Sequence, residues 1–262
     1  MKFLTYPLKP MGRALILGGL WVLPWTGHAL ASSSEQSAKT AIEARLAQIV
    51  PDAPQAEIQA TPVDGVWQVR LGGQIIYMSA DGNYFFNGQL VDLNTRENLT
   101  EQALNAHRQS ALASLNTDSM IIYPAQGERK HVLTVFTDVA CPYCRKLHKD
   151  IDTLNQAGVE VRYLAYARGG VGSKGYNQAQ KIWCAQQPAQ AMDSTMKTGQ
   201  LPDLTVRRDC QAPVKRHMAQ AKAFDVQGTP TLILESGKRL PGYVPAKELL
   251  PMMGMSMPSA QP

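Results

Sequence analysis

HVLTVFTDVACPYCRKLH, residues 131–148, decides how this chain folds. Residues 131–136 are mostly β-branched, aliphatic or aromatic, a composition that predicts a buried strand. Residues 141–157 place Leu147, Ile151 and Leu154 along one helical face, with Gly158 as the stop. Cys141-Pro142-Tyr143-Cys144 therefore stands where a strand ends and a helix begins. Helix N-terminal amides favour negative charge, so Cys141 is expected to carry a depressed pKa and to exist largely as thiolate. The thiolate is the attacking species in disulfide exchange. Cys144, one turn later and shielded, is positioned to resolve a mixed disulfide. Pro142 suits the first turn, where its missing N–H has no helical partner to lose.

Three other readings of the cysteine pair carry less weight. Haem attachment requires histidine directly after the second cysteine, and residue 145 is Arg. Zinc held by Cys141, Cys144 and His148 lacks the second pair that a four-ligand structural site needs. An inert disulfide is a poor match for a two-residue spacing at a helix start, which makes an exposed and exchangeable bond.

Downstream, residues 159–166 read as a second strand, and the loop Gly169-Gly170-Val171-Gly172 leads into a helical stretch that holds Cys184 and reaches Phe224. Pro230 opens a strand over 231–235, Ser236-Gly237 turns, residues 240–244 form a last strand, and 245–252 a terminal helix. Strand, helix, strand, long helical insert, hairpin and helix is an α/β pattern. Cys184 and Cys210, beside apolar neighbours in helical surroundings, are expected to staple the insert. Closing a loop of that size is worth roughly 3.5 kcal/mol in the chain-entropy model. Their alternative role, a second redox relay, lacks the helix-start context that activates a thiol. Gly228-Thr229-Pro230 precedes a strand, where a cis proline loop facing the cysteines offers Thr229 backbone groups to an extended substrate.

Upstream, residues 39–50 put Ile42, Leu46 and Ile49 on one helical stripe. Val66–Leu71, 74–78 and 84–89 then read as strands, joined by Gly72-Gly73 and by Asp81-Gly82-Asn83. A unit of about 60 residues is marginal alone, so a partner surface and hence dimerisation are expected. Residues 97–115 read as a connecting helix, with His107 on its solvated face. The expected boundaries are 32–94 for the N-terminal domain, 95–120 for the linker helix and 121–262 for the catalytic domain.

Residues 1–31 stand apart. Lys2, Lys9 and Arg13 precede an apolar run over 14–23, and Ala29-Leu30-Ala31 has the small-x-small pattern of a signal-peptidase site. The run is too short to span a bilayer, which needs about 20 residues. Export and cleavage after Ala31 are expected, leaving a mature form that is not membrane-embedded. The whole chain carries 26 basic and 21 acidic residues, a net +5, and the leader takes three positive charges and no acid with it. The remaining +2 argues against a nucleic-acid partner. All four cysteines lie after the leader, and an exported chain meets oxidising conditions in which disulfides persist. The tail Met252-Met253-Gly254-Met255-Ser256-Met257 offers thioethers that suit Cu(I), but a terminus without histidine or cysteine is a poor cage. The expected reading there is an unstructured end. His148 is expected to be a solvated helix residue, and Asp138 to cap or orient the turn. No metal or cofactor is expected.

The segments Val135-Phe136-Thr137-Asp138, Cys141 to His148, Val161-Arg162-Tyr163-Leu164-Ala165, Ile182-Trp183-Cys184-Ala185, Gly228-Thr229-Pro230-Thr231 and Pro241-Gly242-Tyr243 together resemble the DsbC/DsbG family of bacterial periplasmic disulfide isomerases. The likeness spans essentially everything after the leader. It implies a thioredoxin-like catalytic domain with a helical insert, plus a small N-terminal α+β dimerisation domain joined by a linker helix. It also implies a V-shaped homodimer in the periplasm that acts on misfolded disulfide-containing exported proteins and is kept reduced by the membrane reductase DsbD. Cys141 and Cys144 would be catalytic, and Pro142, Tyr143, Thr229 and Pro230 would contact substrate. The dipeptide Pro142-Tyr143 is the one associated with DsbG rather than the Gly-Tyr common in DsbC, and the intervening pair tunes redox potential. Isomerase activity is the leading expectation; a redox-independent chaperone and a DsbG-like reductase or oxidase are the alternatives.

Overall fold

The computed structural model describes residues 27–51 and 55–258, with backbone alone for 27–33. The charged and apolar parts of the leader lie outside the described residues. The expected cut site, Ala29-Leu30-Ala31, lies in helical backbone at the start of α1 (Gly27–Ile49). No helix among the described residues is long and apolar enough to cross a membrane.

The N-terminal unit packs α1 on a four-stranded antiparallel sheet, β1 (Glu57–Ala60), β2 (Val66–Leu71), β3 (Gln74–Ser79) and β4 (Phe85–Phe86), in sequential order. Ala38, Ile42 and Leu46 meet Ile58, Trp67, Val69 and Met78 in one small core. Ile49, expected in that stripe, is instead 56% exposed, because the sheet's cover ends at Leu46 and Ile49 is the last helical residue. The strand β1 has one buried side chain, Ile58, and so leaves no alternating pattern to read. The expected strand over 84–89 shrinks to two paired residues, Phe85 and Phe86, both of whose side chains are exposed. Gly72-Gly73 closes the β2–β3 hairpin as expected, with Leu71 facing Gln74. Gly73 meets a second demand: a Cβ there would stand 2.6 Å from the Lys222 carbonyl and 2.8 Å from the Asp225 amide. The hairpin tip thus touches the C-terminal half of the chain, and Gln74 Nε2 donates to Asp225 Oδ1 at 3.2 Å.

Helix α2 (Leu99–Ala113) starts at Asn98, whose side chain accepts from the Glu101 amide at 3.0 Å. It is bound on both sides. Thr100 is buried against Tyr77, with 2.5 Å between their hydroxyl oxygens. The Arg108 guanidinium, 1% exposed, donates to Asn105 Oδ1 and to the Gly237 carbonyl. His107 corrects its expected solvated position: it is half-buried, with Nε2 3.4 Å from the Arg70 guanidinium.

After a 3₁₀ turn at Thr117–Ser119 the second unit runs β5 (Ile121–Tyr123), β6 (His131–Thr137), α3 (Pro142–His148), α4 (Ile151–Gln156), β7 (Val159–Ala165), α5 (Lys174–Trp183), α6 (Pro188–Thr198), α7 (Val214–Gln220), β8 (Thr231–Leu234), β9 (Arg239–Pro241) and α8 (Ala246–Met252). Its sheet has the order β5-β7-β6-β8-β9, with β6 and β7 parallel and the other pairs antiparallel. The central strand β6 is buried on both faces, which is why its sequence is a near-continuous apolar run. Leu133 and Val135 face the core shared with α3, α4 and α8, whereas Phe136 meets Phe224 beneath α2.

Three local expectations need correction. The helix read over 141–157 breaks at Lys149-Asp150 into α3 and α4. The Asp150 carboxylate accepts from the Tyr243 hydroxyl at 2.9 Å and the Ala246 amide at 3.3 Å, a tertiary tie that no local residue announces. The insert is three helices and a 3₁₀ turn, and Cys210 lies in the irregular stretch between α6 and α7, bounded by Gly199 and Pro213. The methionine tail is not wholly loose either. Met253 and Met255 pack against the main core, and the Met255 amide donates to the Leu250 carbonyl.

Candidate active site

The strand β6 ends at Thr137, and the chain turns through Asp138-Val139-Ala140 into α3. Asp138 makes that turn rigid. Its buried carboxylate accepts from the Ala140 amide at 2.9 Å, and from the Arg168 amide and Nε at 3.1 and 3.2 Å. Its Oδ1 would stand 2.7 Å from a Cβ at residue 175, so only glycine fits in the first turn of α5. The expected capping role of Asp138 is realised together with a partner, Arg168, that lies beyond β7 and gives no local sequence signal. Burial works against the Arg168 charge, but Cys141 and Asp138 outweigh it and hold the guanidinium protonated.

Cys141 occupies the N-cap position of α3, and Pro142 is the first helical residue. Both cysteines are unbonded and buried. Cys141 Sγ lies 3.2 Å from the Thr229 carbonyl oxygen, to which it donates only in its thiol form, and the Asp138 amide donates to Cys144 Sγ at 3.4 Å. The Thr229-Pro230 peptide bond is cis and leads into β8, so the two segments expected to face one another do so. Pro142 and Tyr143 form an exposed rim, with Tyr143 at 55% exposure and Lys146 Nζ 5.4 Å from its ring centre.

The two sulfurs differ sharply in acidity. Hydrogen bonding from the Cys144 thiol, then from Thr229 and the Cys144 and Tyr143 amides, outweighs burial and lowers Cys141 to about 5. Burial first, and the neighbouring Cys141 second, push Cys144 far above the ordinary thiol range. One sulfur is therefore a thiolate at neutral pH and the other a thiol, the division of labour that an exchange reaction needs. Two buried hydroxyls complete the setting. Oγ1 of Thr137 and Oγ1 of Thr229 have no hydrogen-bond partner among the described residues, and they favour the thiolate forms of the nearby Cys144 and Cys141 respectively. Thr137, the last residue of an apolar strand, was not legible as a site residue, because its hydroxyl acquires meaning only through the fold.

Cys184 and Cys210 are bonded to each other, with Cα atoms 5.6 Å apart. The bond ties the end of α5 to the irregular stretch, beside the Arg207 amide bond to the Cys184 carbonyl. His148 departs from expectation. Its side chain is 13% exposed, and its ring nitrogens face the Tyr163 hydroxyl (Nδ1, 3.3 Å) and Asp193 Oδ1 (Nε2, 3.2 Å).

Residues 118–255 match the family model described as a thioredoxin-like domain, and residues 31–101 match the disulfide bond isomerase protein N-terminal domain. The chain is 38% identical over 200 residues to the thiol:disulfide interchange protein DsbC of Dickeya dadantii (strain 3937), across 76% of this chain and 80% of that one. It is 34% identical over 196 residues to the protein of the same name from Escherichia coli (strain K12), across 74% and 79% of the two chains. Among solved structures, a disulfide interchange protein from Neisseria gonorrhoeae is 26% identical, with a TM-score of 0.47 over 53% of this chain and 96% of that one.

Proposed function

The chain belongs to the DsbC family of thiol:disulfide interchange proteins, and from that premise we propose how its residues carry out the exchange. The protein is a disulfide isomerase. Cys141 attacks a non-native disulfide as the thiolate and forms a mixed disulfide, releasing one substrate sulfur. A substrate thiolate then displaces Cys141, which completes isomerisation, or Cys144 does, which reduces the substrate and oxidises the pair. Thr229 and Pro230 align the substrate backbone, and Pro142 and Tyr143 form the rim it crosses. Cys184–Cys210 is a structural staple. The observation that carries this assignment is the placement of Cys141 at the N-cap of α3, its Sγ 3.2 Å from the Thr229 carbonyl and three residues before buried Cys144, whose thiol is the main cause that lowers Cys141 to about 5.

The division into 32–94, 95–120 and 121–262 goes with this reading, as does export to the periplasm with cleavage after Ala31. The substrates are exported proteins with wrong disulfides, and a membrane reductase of the DsbD type returns the pair to the dithiol. The N-terminal domain forms a homodimer. Support comes from the match of residues 31–101 and from the exposed aromatic edge at Tyr84, Phe85 and Phe86, which a second copy covers.

The test is refolding of a scrambled multi-disulfide protein. The parent chain restores its activity, and the Cys141→Ala variant does not, while still suppressing aggregation. Full restoration by Cys141→Ala would sink the assignment and favour a chaperone. The reduction potential against glutathione ranks isomerase against oxidase, and a pair found largely oxidised in cells contradicts the isomerase.

A further inference from the structure

Three segments frame the Cys141 sulfur: residues 139–149 of the cysteine turn and α3, 166–175 of the loop into α5, and 226–232 around Thr229-Pro230. Together they hold five Lys and Arg side chains and no Asp or Glu. The chain beyond residue 31 is nearly neutral, at +2, so the bias is local to the site. Asp138, just before the turn, does bring a carboxylate, but it is buried and paired with Arg168.

Three of the five cations stand at the mouth. Lys146 is exposed, and its Nζ lies 5.4 Å from the ring centre of Tyr143 on the rim. Arg168 is exposed and holds Asp138, whose carbonyl accepts from the Cys141 amide at 2.9 Å. Lys174 is exposed in the first turn of α5, where a Cβ on its neighbour Gly175 would come within 3.6 Å of the Ala140 side chain. Of the other two, Arg145 reaches toward Gly199 at the end of α6, and Lys149 lies beyond the last residue of α3. The acids packed about α3 have partners of their own: Asp150 accepts from Tyr243 and Ala246, and Asp193 from Tyr123.

We propose that Lys146, Arg168 and Lys174 make the mouth of the site select substrate segments that carry acidic residues beside the attacked cysteine. The proposal rests on the reading of Cys141 as the attacking sulfur. A thiolate alone repels an acidic segment, and like charges slow encounter. The three cations reverse that sign, because the framing segments offer them no carboxylate. Exposed charges act over about 10 Å at 0.1 M salt, the reach of roughly three extended residues, so the preference covers about three positions on either side of the cysteine. The cations surround the reacting sulfur, so their partner is the polypeptide that carries the disulfide rather than a lipid or nucleic-acid surface. The chemical step is unchanged. The Cys141 thiolate bonds to one substrate sulfur, the substrate S–S bond breaks, and the second sulfur leaves as a thiolate. The cations act on encounter and alignment before it.

Short peptides with one central cysteine, blocked as the 2-thiopyridyl disulfide, test the preference against an excess of the reduced full chain. Attack by Cys141 releases pyridine-2-thione, whose absorbance follows the rate. Flanks of Glu, Gln or Lys give three probes with the same uncharged leaving group. At low salt the Glu peptide is expected to react about tenfold faster than the Lys peptide, and the ratio to fall to about twofold in about 0.5 M salt. The double variant Lys146→Gln with Lys174→Gln is expected to bring the low-salt ratio to about twofold, whereas Lys146→Arg with Lys174→Arg keeps it near tenfold. A purely structural role would not follow charge in this way. Equal rates for the Glu and Lys peptides in the parent chain, a ratio insensitive to salt, or a ratio preserved in the double Gln variant overturns the proposal. No release from the Gln peptide by the parent chain overturns the attacking role of Cys141, and the proposal with it.

Discussion

Replacing Cys144 by alanine removes the largest single influence that lowers the Cys141 thiol, so it should change the acidity of a residue it does not alter. In the folded protein the Cys144 thiol donates to the Cys141 thiolate, and that contribution exceeds those of Thr229 and the two helix-start amides. A hydrogen bond to a charged group is worth roughly 1.5–3 kcal/mol, and one pH unit corresponds to about 1.4 kcal/mol. The Cys141 midpoint should therefore rise from about 5 to about 6–7 in Cys144→Ala. It should stay below the ordinary thiol value, because Thr229 and the amides of residues 143 and 144 remain. Ultraviolet thiolate absorbance reads the midpoint directly, since Cys184 and Cys210 are bonded and do not titrate. Alkylation rates alone are a poorer measure, because a more basic thiolate is also more nucleophilic and hides part of the shift. A midpoint that is unmoved or lower in Cys144→Ala refutes the reasoning and assigns the acidity to the helix start and Thr229.

Other positions give equally direct expectations. Gly237→Ala should lower stability by more than about 2 kcal/mol in denaturant melts, because φ is +78° and the new Cβ would meet the Asn105 carbonyl at 2.0 Å. His217 is fully buried, with Nδ1 accepting from the Ala165 amide and Nε2 3.0 Å from the Ser119 hydroxyl; burial and then Arg216 lower it to about 4. The unfolded chain therefore binds the extra proton between pH 6.5 and 4, so the stability supplied by neutral His217 is complete above that window and falls by about 3 kcal/mol across it. Denaturant midpoints of the parent and His217→Gln chains should differ in pH slope inside that window and run parallel above it. Phe85→Glu should weaken self-association by about 100-fold or more in sedimentation and leave the Cys141 titration unchanged.

What the sequence disclosed follows a physical line. The catalytic sheet and the cysteine turn were legible because β6 is buried on both faces and Cys141-Pro142-Tyr143-Cys144 combines reactive chemistry with local helix-start geometry. The Gly72-Gly73 hairpin was legible for the same local reason. What depends on distant partners was not. Asp150 splits a helix by bonding to Tyr243 and Ala246, Arg168 reaches Asp138 across thirty positions, and Thr137 matters only because Cys144 packs beside it. The burial of His148 has no local signal, because the residues that surround it, Tyr123, Tyr163 and Asp193, come from three other elements. The exposed aromatic edge at β4 was read as a full strand because aromatic residues signal strands whether or not a sheet covers them.

The central claim is that Cys141 is the attacking sulfur and Cys144 the resolving one. Incubating the Cys144→Ala chain with a scrambled multi-disulfide protein and mapping the trapped adduct by mass spectrometry tests it most directly. The account predicts a stable disulfide between Cys141 and a substrate cysteine, absent when Cys141→Ala replaces Cys144→Ala. An adduct formed through Cys144 in the Cys141→Ala chain, with none at Cys141 in the Cys144→Ala chain, contradicts it.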